Sequence, residues 1–131
     1  MPIATDTVTT PDGDCRITVA TPDGDGPWPA VVMYPDAGGP RPTFDAMAAR
    51  LAALGYVVLV PDIYYRHAGW APFDLPTAFT DPAERDRLFA MMAEVTPERM
   101  TTDAAAFFDY LQQRPDVAGT RFGTTGYCMG G

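Results

Sequence analysis

The stretch that decides the fold is Gly126-Tyr127-Cys128-Met129-Gly130-Gly131, which follows the short run Arg121-Phe122-Gly123-Thr124-Thr125. It has the pattern G-x-C-x-G, a nucleophile elbow with Cys in place of Ser. In such an elbow a strand turns sharply into a helix, and the middle residue is held in a strained backbone conformation. The pattern predicts an exposed Cys128 sulfur at the carboxyl end of a sheet. A helix starting at Met129 would point free N–H groups at the sulfur and favour the thiolate.

The same pattern leaves a simpler alternative open. A Gly-rich turn can follow any strand, and Cys128 would then be a small buried apolar residue. The chain upstream favours the elbow, because it predicts the series of strands and helices that such an elbow terminates.

The first predicted unit is a β-hairpin. Two β-rich runs, Ile3–Thr10 and residues 15–21, flank Pro11-Asp12-Gly13-Asp14, and Asp-Gly between such runs is a strong hairpin signal. We expect an antiparallel pair of edge strands.

A strand–helix–strand unit follows. Ala30–Tyr34 and residues 56–60 are short, continuous apolar runs, which are typical of strands buried on both faces. Between them a helix is predicted over residues 44–54, with Thr43 as its N-cap. Its expected buried face consists of Met47, Leu51 and Leu54. The unit should form a right-handed parallel crossover.

The next part of the chain is a long loop followed by two helices. Residues 63–80 contain Tyr64, Tyr65, Trp70, Phe73 and Phe79, and this aromatic content argues against disorder. Asp81-Pro82-Ala83-Glu84 predicts a helix reaching about residue 95. Thr96-Pro97-Glu98 predicts another reaching about residue 113, with an apolar stripe made by Ala106, Phe107, Tyr110 and Leu111. Strands alternating with helices predict an α/β fold, and residues 1–131 are expected to form one domain.

Composition excludes several classes of function. The net charge of the 131 residues is -8 and all nine basic residues are Arg without a basic run, so we expect no nucleic-acid partner. We see no signal-peptide pattern and no apolar run long enough for a bilayer, and we expect a cytoplasmic protein without a membrane partner. Two Cys, one His and no C-x-x-C pair predict neither a disulfide framework nor a metal or cofactor site.

Three segments resemble the dienelactone hydrolase family: residues 31–38, residues 55–66 with Pro61-Asp62-Ile63-Tyr64, and residues 123–131 with the elbow. The resemblance implies the N-terminal half of an α/β-hydrolase fold: an antiparallel hairpin, then parallel strands with helices, ending at the nucleophile elbow. It also implies that the triad acid and His would follow Gly131, so that the chain is an N-terminal, incomplete portion.

The resemblance also implies roles for individual residues. Cys128 matches the nucleophile, and the backbone N–H groups of Met129 and Ala37 match the two oxyanion donors. Arg66 matches an Arg that binds a substrate carboxylate, and Asp36 stands in the substrate-binding region where the family often has Glu. Alternatives stay open, since Asp36 also suits a turn and Arg66 a surface position.

Two further residues are predicted to lie outside the catalytic set. His67, the only His, precedes the nucleophile, whereas the base of this fold comes from a late loop. Asp62 is expected to be a structural cap, because the triad acid also follows the nucleophile.

The predicted function is hydrolysis of ester or lactone bonds in small molecules, including carboxylate-bearing ones, through Cys128 and without a cofactor. The 131 residues alone are expected to be inactive. The alternative is a non-catalytic remnant or half-domain that binds a small molecule or a complementary chain.

Overall fold

The computed structural model describes residues 2–131, and its centre is a five-stranded mixed sheet with the order β1-β2-β4-β3-β5. Strands β1 (Ile3–Thr10) and β2 (Gly13–Ala20) are antiparallel, from Ile3 opposite Ala20 to Thr10 opposite Gly13. The predicted hairpin is therefore confirmed. The expectation that both strands lie at the edge is wrong for β2, because its other side pairs with β4.

The middle of the sheet is apolar on both faces. Strand β3 (Ala30–Tyr34) runs parallel to β4 (Val57–Pro61) and to β5 (Gly123–Gly126), and all five residues of β4 are buried. The parallel β3–α1–β4 crossover is confirmed, with β4 displaced by one residue from the predicted 56–60. Strand β5 forms an edge of the described sheet.

Helix α1 (Pro42–Ala53) covers one face of the sheet, and its buried side differs from the prediction. It begins two residues early, with Arg41 as N-cap, because Pro42 has a backbone angle and a missing N–H that suit the first turn. Its buried residues are Phe44, Ala48 and Ala52, whereas Leu54 is 76% exposed. Small side chains let the helix approach the sheet closely, so the larger Met47 and Leu51 pack at its margin.

Helices α2 (Pro82–Glu94) and α3 (Pro97–Gln112) start where predicted. The Asp81 carboxylate accepts from the Ala83 N–H at 3.1 Å, and the Thr96 hydroxyl accepts from the Arg99 N–H at 3.2 Å. These caps satisfy N–H groups that have no partner within the helix. Phe107 and Leu111 of α3 join the larger core cluster on the face opposite α1.

Residues 63–80 form the predicted loop, referred to below as the aromatic loop, and contain no helix or strand. It is well packed: Tyr64, Tyr65, Phe73 and Ala78 are buried in the larger core cluster. Within residues 2–131, no helix combines the length and apolar character needed to cross a membrane.

Candidate functional site

The elbow adopts the backbone conformation that its sequence predicts. After β5, Tyr127 is extended, and Cys128 has φ of 55°, the one positive φ among the described non-Gly residues. Cys128 is exposed and not disulfide-bonded, so the alternative of a buried apolar Cys is wrong. Residues Cys128–Gly130 form a single 3-10 turn, which leaves the α-helix from Met129 a prediction.

Close backbone packing explains the two glycines that flank Cys128. A Cβ on Gly126 would lie 1.9 Å from the Gly130 carbonyl oxygen, and a Cβ on Gly130 would lie 2.3 Å from the Pro35 carbonyl oxygen. The strand register places Gly126 opposite Tyr34, at the carboxyl end of β3. The elbow therefore rests directly against the start of the loop that follows β3.

That loop, residues 35–41, is organised by Asp36. Its carboxylate accepts from the Gly38 N–H at 2.9 Å and from two guanidinium nitrogens of Arg41, at 2.6 and 3.0 Å. The Arg41 hydrogen bonds, ahead of other causes, hold the pKa of Asp36 below its usual value. Asp36 thus has the turn role that the sequence left open, and its substrate role stays a prediction.

Two backbone donors next to these features are unpaired. Among the described residues, the N–H groups of Ala37 and Met129 donate to no other group. Ala37 is nearly buried, where a donor without a partner is costly unless a ligand or water completes it. These are the two groups for which the family resemblance implies oxyanion binding, a role that stays a prediction.

Tyr64 supports the same loop and was given no role by the sequence. Its hydroxyl donates to the Ala37 carbonyl at 2.6 Å, and its ring packs edge-on against Trp70 and Phe73. Burial mainly raises the pKa of Tyr64, with smaller contributions from the charges of nearby groups, Cys128 among them. The only sequence signal was its place in Pro61-Asp62-Ile63-Tyr64.

Arg66 lies in a partly buried ionic network. It donates twice to Asp103 of α3, at 2.9 Å each, and twice to Asp12 of the hairpin turn, at 3.1 and 2.6 Å. Asp103 is 3% exposed and also accepts from the Tyr65 hydroxyl at 2.7 Å. The alternative of a simple surface Arg is wrong, since Arg66 ties three parts of the chain together. Its substrate role stays a prediction.

His67 and Asp62 have partners away from the elbow. The imidazole Nε2 of His67 faces the Glu94 carboxylate beside a cavity of about 830 Å³ between the aromatic loop and α2. The Asp62 carboxylate accepts from the Trp70 indole N–H and from the Tyr64 N–H, so it caps the aromatic loop as predicted. Among residues 2–131, no three His, Cys, Asp or Glu side chains are grouped to hold a metal ion.

Comparison with known proteins identifies the family of this chain and its fold. The family model described as "Dienelactone hydrolase family" matches residues 15–131. A carboxymethylenebutenolidase from a Pseudomonas species is 31% identical over 106 residues, which are 81% of this chain and 42% of that protein. A second relative, a putative carboxymethylenebutenolidase from Synechocystis, is 27% identical over 98% of this chain and 51% of its own length. The chain spans about half the length of the curated relatives it matches.

The solved structures agree on the fold. A putative dienelactone hydrolase from Klebsiella pneumoniae superposes with a TM-score of 0.73 at 23% identity, over 99% of this chain and 52% of that chain. The predicted α/β-hydrolase architecture is thereby confirmed as a partial fold, covering about half of such a neighbour.

Proposed function

Because the chain belongs to the dienelactone hydrolase family, we propose that it carries the nucleophile side of a hydrolase active site. The substrates are esters or lactones of small molecules. The observation that carries the proposal is the elbow: an exposed thiol on a strained residue, next to a loop whose Ala37 N–H is unpaired.

The chemistry follows from these groups. The Cys128 thiolate attacks the carbonyl carbon, a C–S bond forms, and the carbonyl π electrons move to oxygen. The N–H groups of Ala37 and Met129 donate to this oxyanion, and such a donor is worth about 3–4 kcal/mol in the transition state. The oxyanion then re-forms the carbonyl and expels the alkoxide, which takes up a proton. Water hydrolyses the resulting thioester and regenerates Cys128.

The general base comes, in this proposal, from outside residues 1–131. His67 faces Glu94, and among residues 2–131 it forms no hydrogen bond or ion pair with Cys128. The base and its acid would be supplied by a longer chain or by a complementary one, in keeping with the share of the relatives that this chain covers.

The substrate carboxylate is assigned to Arg66, with Asp36 shaping the wall of the site. Asp103 holds one side of the guanidinium, and the other side bonds to Asp12, whose side chain is 46% exposed. The Nε and Nη2 groups of Arg66 both donate to one oxygen of Asp12, and a substrate carboxylate that displaces Asp12 could accept from these two groups with both of its oxygens. Carboxylate-bearing esters should therefore be bound more tightly than neutral ones.

The test compares p-nitrophenyl acetate hydrolysis by the 131-residue chain and by the longest product of its gene. Each is made as wild type, Cys128→Ala and Cys15→Ala. In the gene product, Cys128→Ala should reduce kcat at least about 1,000-fold, because removing a nucleophile disables the whole catalytic unit. Cys15→Ala is the matched control, since Cys15 is a buried thiol in β2. The 131-residue chain should show no multiple turnovers. Equal turnover in the Cys128→Ala and wild-type gene products would contradict the proposal.

A further inference from the structure

The loop that carries Ala37 is braced by the aromatic loop. The Tyr64 hydroxyl holds the Ala37 carbonyl at 2.6 Å. The Trp70 ring lies against Gly39, where a Cβ would come within 2.8 Å of it, and Gly39 has φ of 79°. A side chain at position 39 would therefore strain the backbone and collide with the Trp70 ring, which explains the glycine.

Both ends of one peptide group are fixed by side chains. The carbonyl between Ala37 and Gly38 accepts from Tyr64, and the N–H of the same peptide donates to Asp36 at 2.9 Å. A peptide group is planar, so two such bonds determine its orientation. They restrict the ψ angle of Ala37, and through it the direction in which the unpaired N–H of Ala37 points.

We propose that Tyr64 is a positioning residue that aims the Ala37 N–H at the developing oxyanion by holding the Ala37 carbonyl. This rests on the proposed function. Tyr64 touches no substrate and acts through the loop alone. Its hydroxyl suits the task because its ring is packed by Trp70 and Phe73 and is 1% exposed. A rigid donor costs little ordering entropy when the transition state forms.

The chemistry of the phenol agrees with this role. The pKa of Tyr64 is raised, mainly by burial of the ring. The hydroxyl therefore stays protonated and remains a hydrogen-bond donor throughout the neutral range. Without the hydroxyl the Ala37 carbonyl loses its partner, and a buried acceptor without a partner is unfavourable. The peptide between Ala37 and Gly38 should then rotate to find another donor, which changes the ψ angle of Ala37. The Ala37 N–H belongs to the preceding peptide, and it shifts as the loop adjusts to the new ψ.

The experiment uses Tyr64→Phe with Tyr65→Phe as matched control. Both variants delete one buried hydroxyl from neighbouring rings, but the Tyr65 hydroxyl bonds to Asp103 and Thr10. With the longest product of the gene and p-nitrophenyl acetate, Tyr64→Phe should lower kcat about 10-fold at nearly constant KM. Tyr65→Phe should leave kcat per titrated thiol unchanged, although both variants lower Tm.

Amide hydrogen exchange in the same proteins gives a readout independent of catalysis. The Gly38 N–H donates to the Asp36 carboxylate at 2.9 Å, and the Gly39 N–H donates to the Asp36 backbone carbonyl at 2.9 Å. Their exchange should accelerate about 10-fold in Tyr64→Phe and stay unchanged in Tyr65→Phe. Unchanged exchange in Tyr64→Phe overturns the inference whatever the activity, and so does faster exchange with an unchanged kcat. If wild type lacks Cys128-dependent turnover, the proposed function fails, and exchange still decides whether Tyr64 holds the loop.

Discussion

Replacing Gly130 by Ala tests the contact that joins the elbow to the end of β3. The added Cβ would lie 2.3 Å from the Pro35 carbonyl oxygen and 2.7 Å from that of Tyr34. Both oxygens belong to the backbone, so neither can rotate away as a side-chain end could. Ordinary van der Waals contacts between carbon and oxygen begin at roughly 3.4 Å, so the turn has to move by about 1 Å.

The expected loss of stability follows from this displacement. Overpacking a well-packed region costs about 1–3 kcal/mol, and we expect Gly130→Ala at the upper end because the obstacle is backbone. Gly123→Ala is the matched control in β5, since its Cβ would lie 3.4 Å from a Val31 methyl group, an ordinary contact. Both changes restrict the unfolded chain equally, so this contribution cancels in the comparison.

The assay is urea unfolding followed by circular dichroism, with wild type, Gly123→Ala and Gly130→Ala measured side by side. We expect a difference of about 3 kcal/mol between the two variants in the free energy of unfolding. In the gene product, the proposed oxyanion role of the Met129 N–H predicts that Gly130→Ala also lowers kcat, because the turn that carries this N–H moves. Stabilities within about 0.5 kcal/mol of each other would refute the packing of the elbow against β3.

Two further outcomes follow from the ionisable groups. A thiol reagent at neutral pH should titrate only Cys128 in the native protein and both cysteines after denaturation. The reason is that Cys15 is buried, and its burial is the main cause that raises its pKa to about 12. Two rapidly reacting thiols in the native protein would contradict this prediction. Arg66→Ala should lower the free energy of unfolding by about 3 kcal/mol because Asp103 stays buried without its partner, whereas Asp12→Ala should cost under about 1 kcal/mol. Equal losses in these two variants would show that the buried pair is not the main contribution of Arg66.

The parts of the fold that the sequence predicts correctly are those specified by local chemistry. The Asp-Gly turn defines the hairpin, and Pro after a capping Asp81 or Thr96 defines two helix starts. The buried side of α1 was not predictable in the same way. Hydrophobic periodicity favours large residues such as Leu54, whereas close helix–sheet packing selected Ala48 and Ala52.

In the candidate site, too, local features are predictable from the sequence and contacts between distant residues are not. The strained conformation at Cys128 follows from its flanking glycines, which are local signals. The partners of Arg66 lie 54 and 37 residues away in the chain, and no local pattern encodes such distant pairs. The hydrogen bond from Tyr64 to Ala37 spans 27 residues and was missed for the same reason.

Three consecutive residues after β4 show why a motif alone does not assign roles. Tyr64 bonds to the loop that carries Ala37, while Tyr65 and Arg66 bond to Asp103 of α3. A motif identifies the segment, but packing on each side of the chain decides which side chain turns to the elbow. Tyr64 turns toward the loop beside the elbow, where its hydroxyl donates to the Ala37 carbonyl. Arg66 turns to Asp103, a buried carboxylate that would otherwise lack an opposite charge, which is far more unfavourable. In the proposed role of Arg66, a substrate carboxylate would reach the guanidinium on the side of Asp12, whose side chain is 46% exposed.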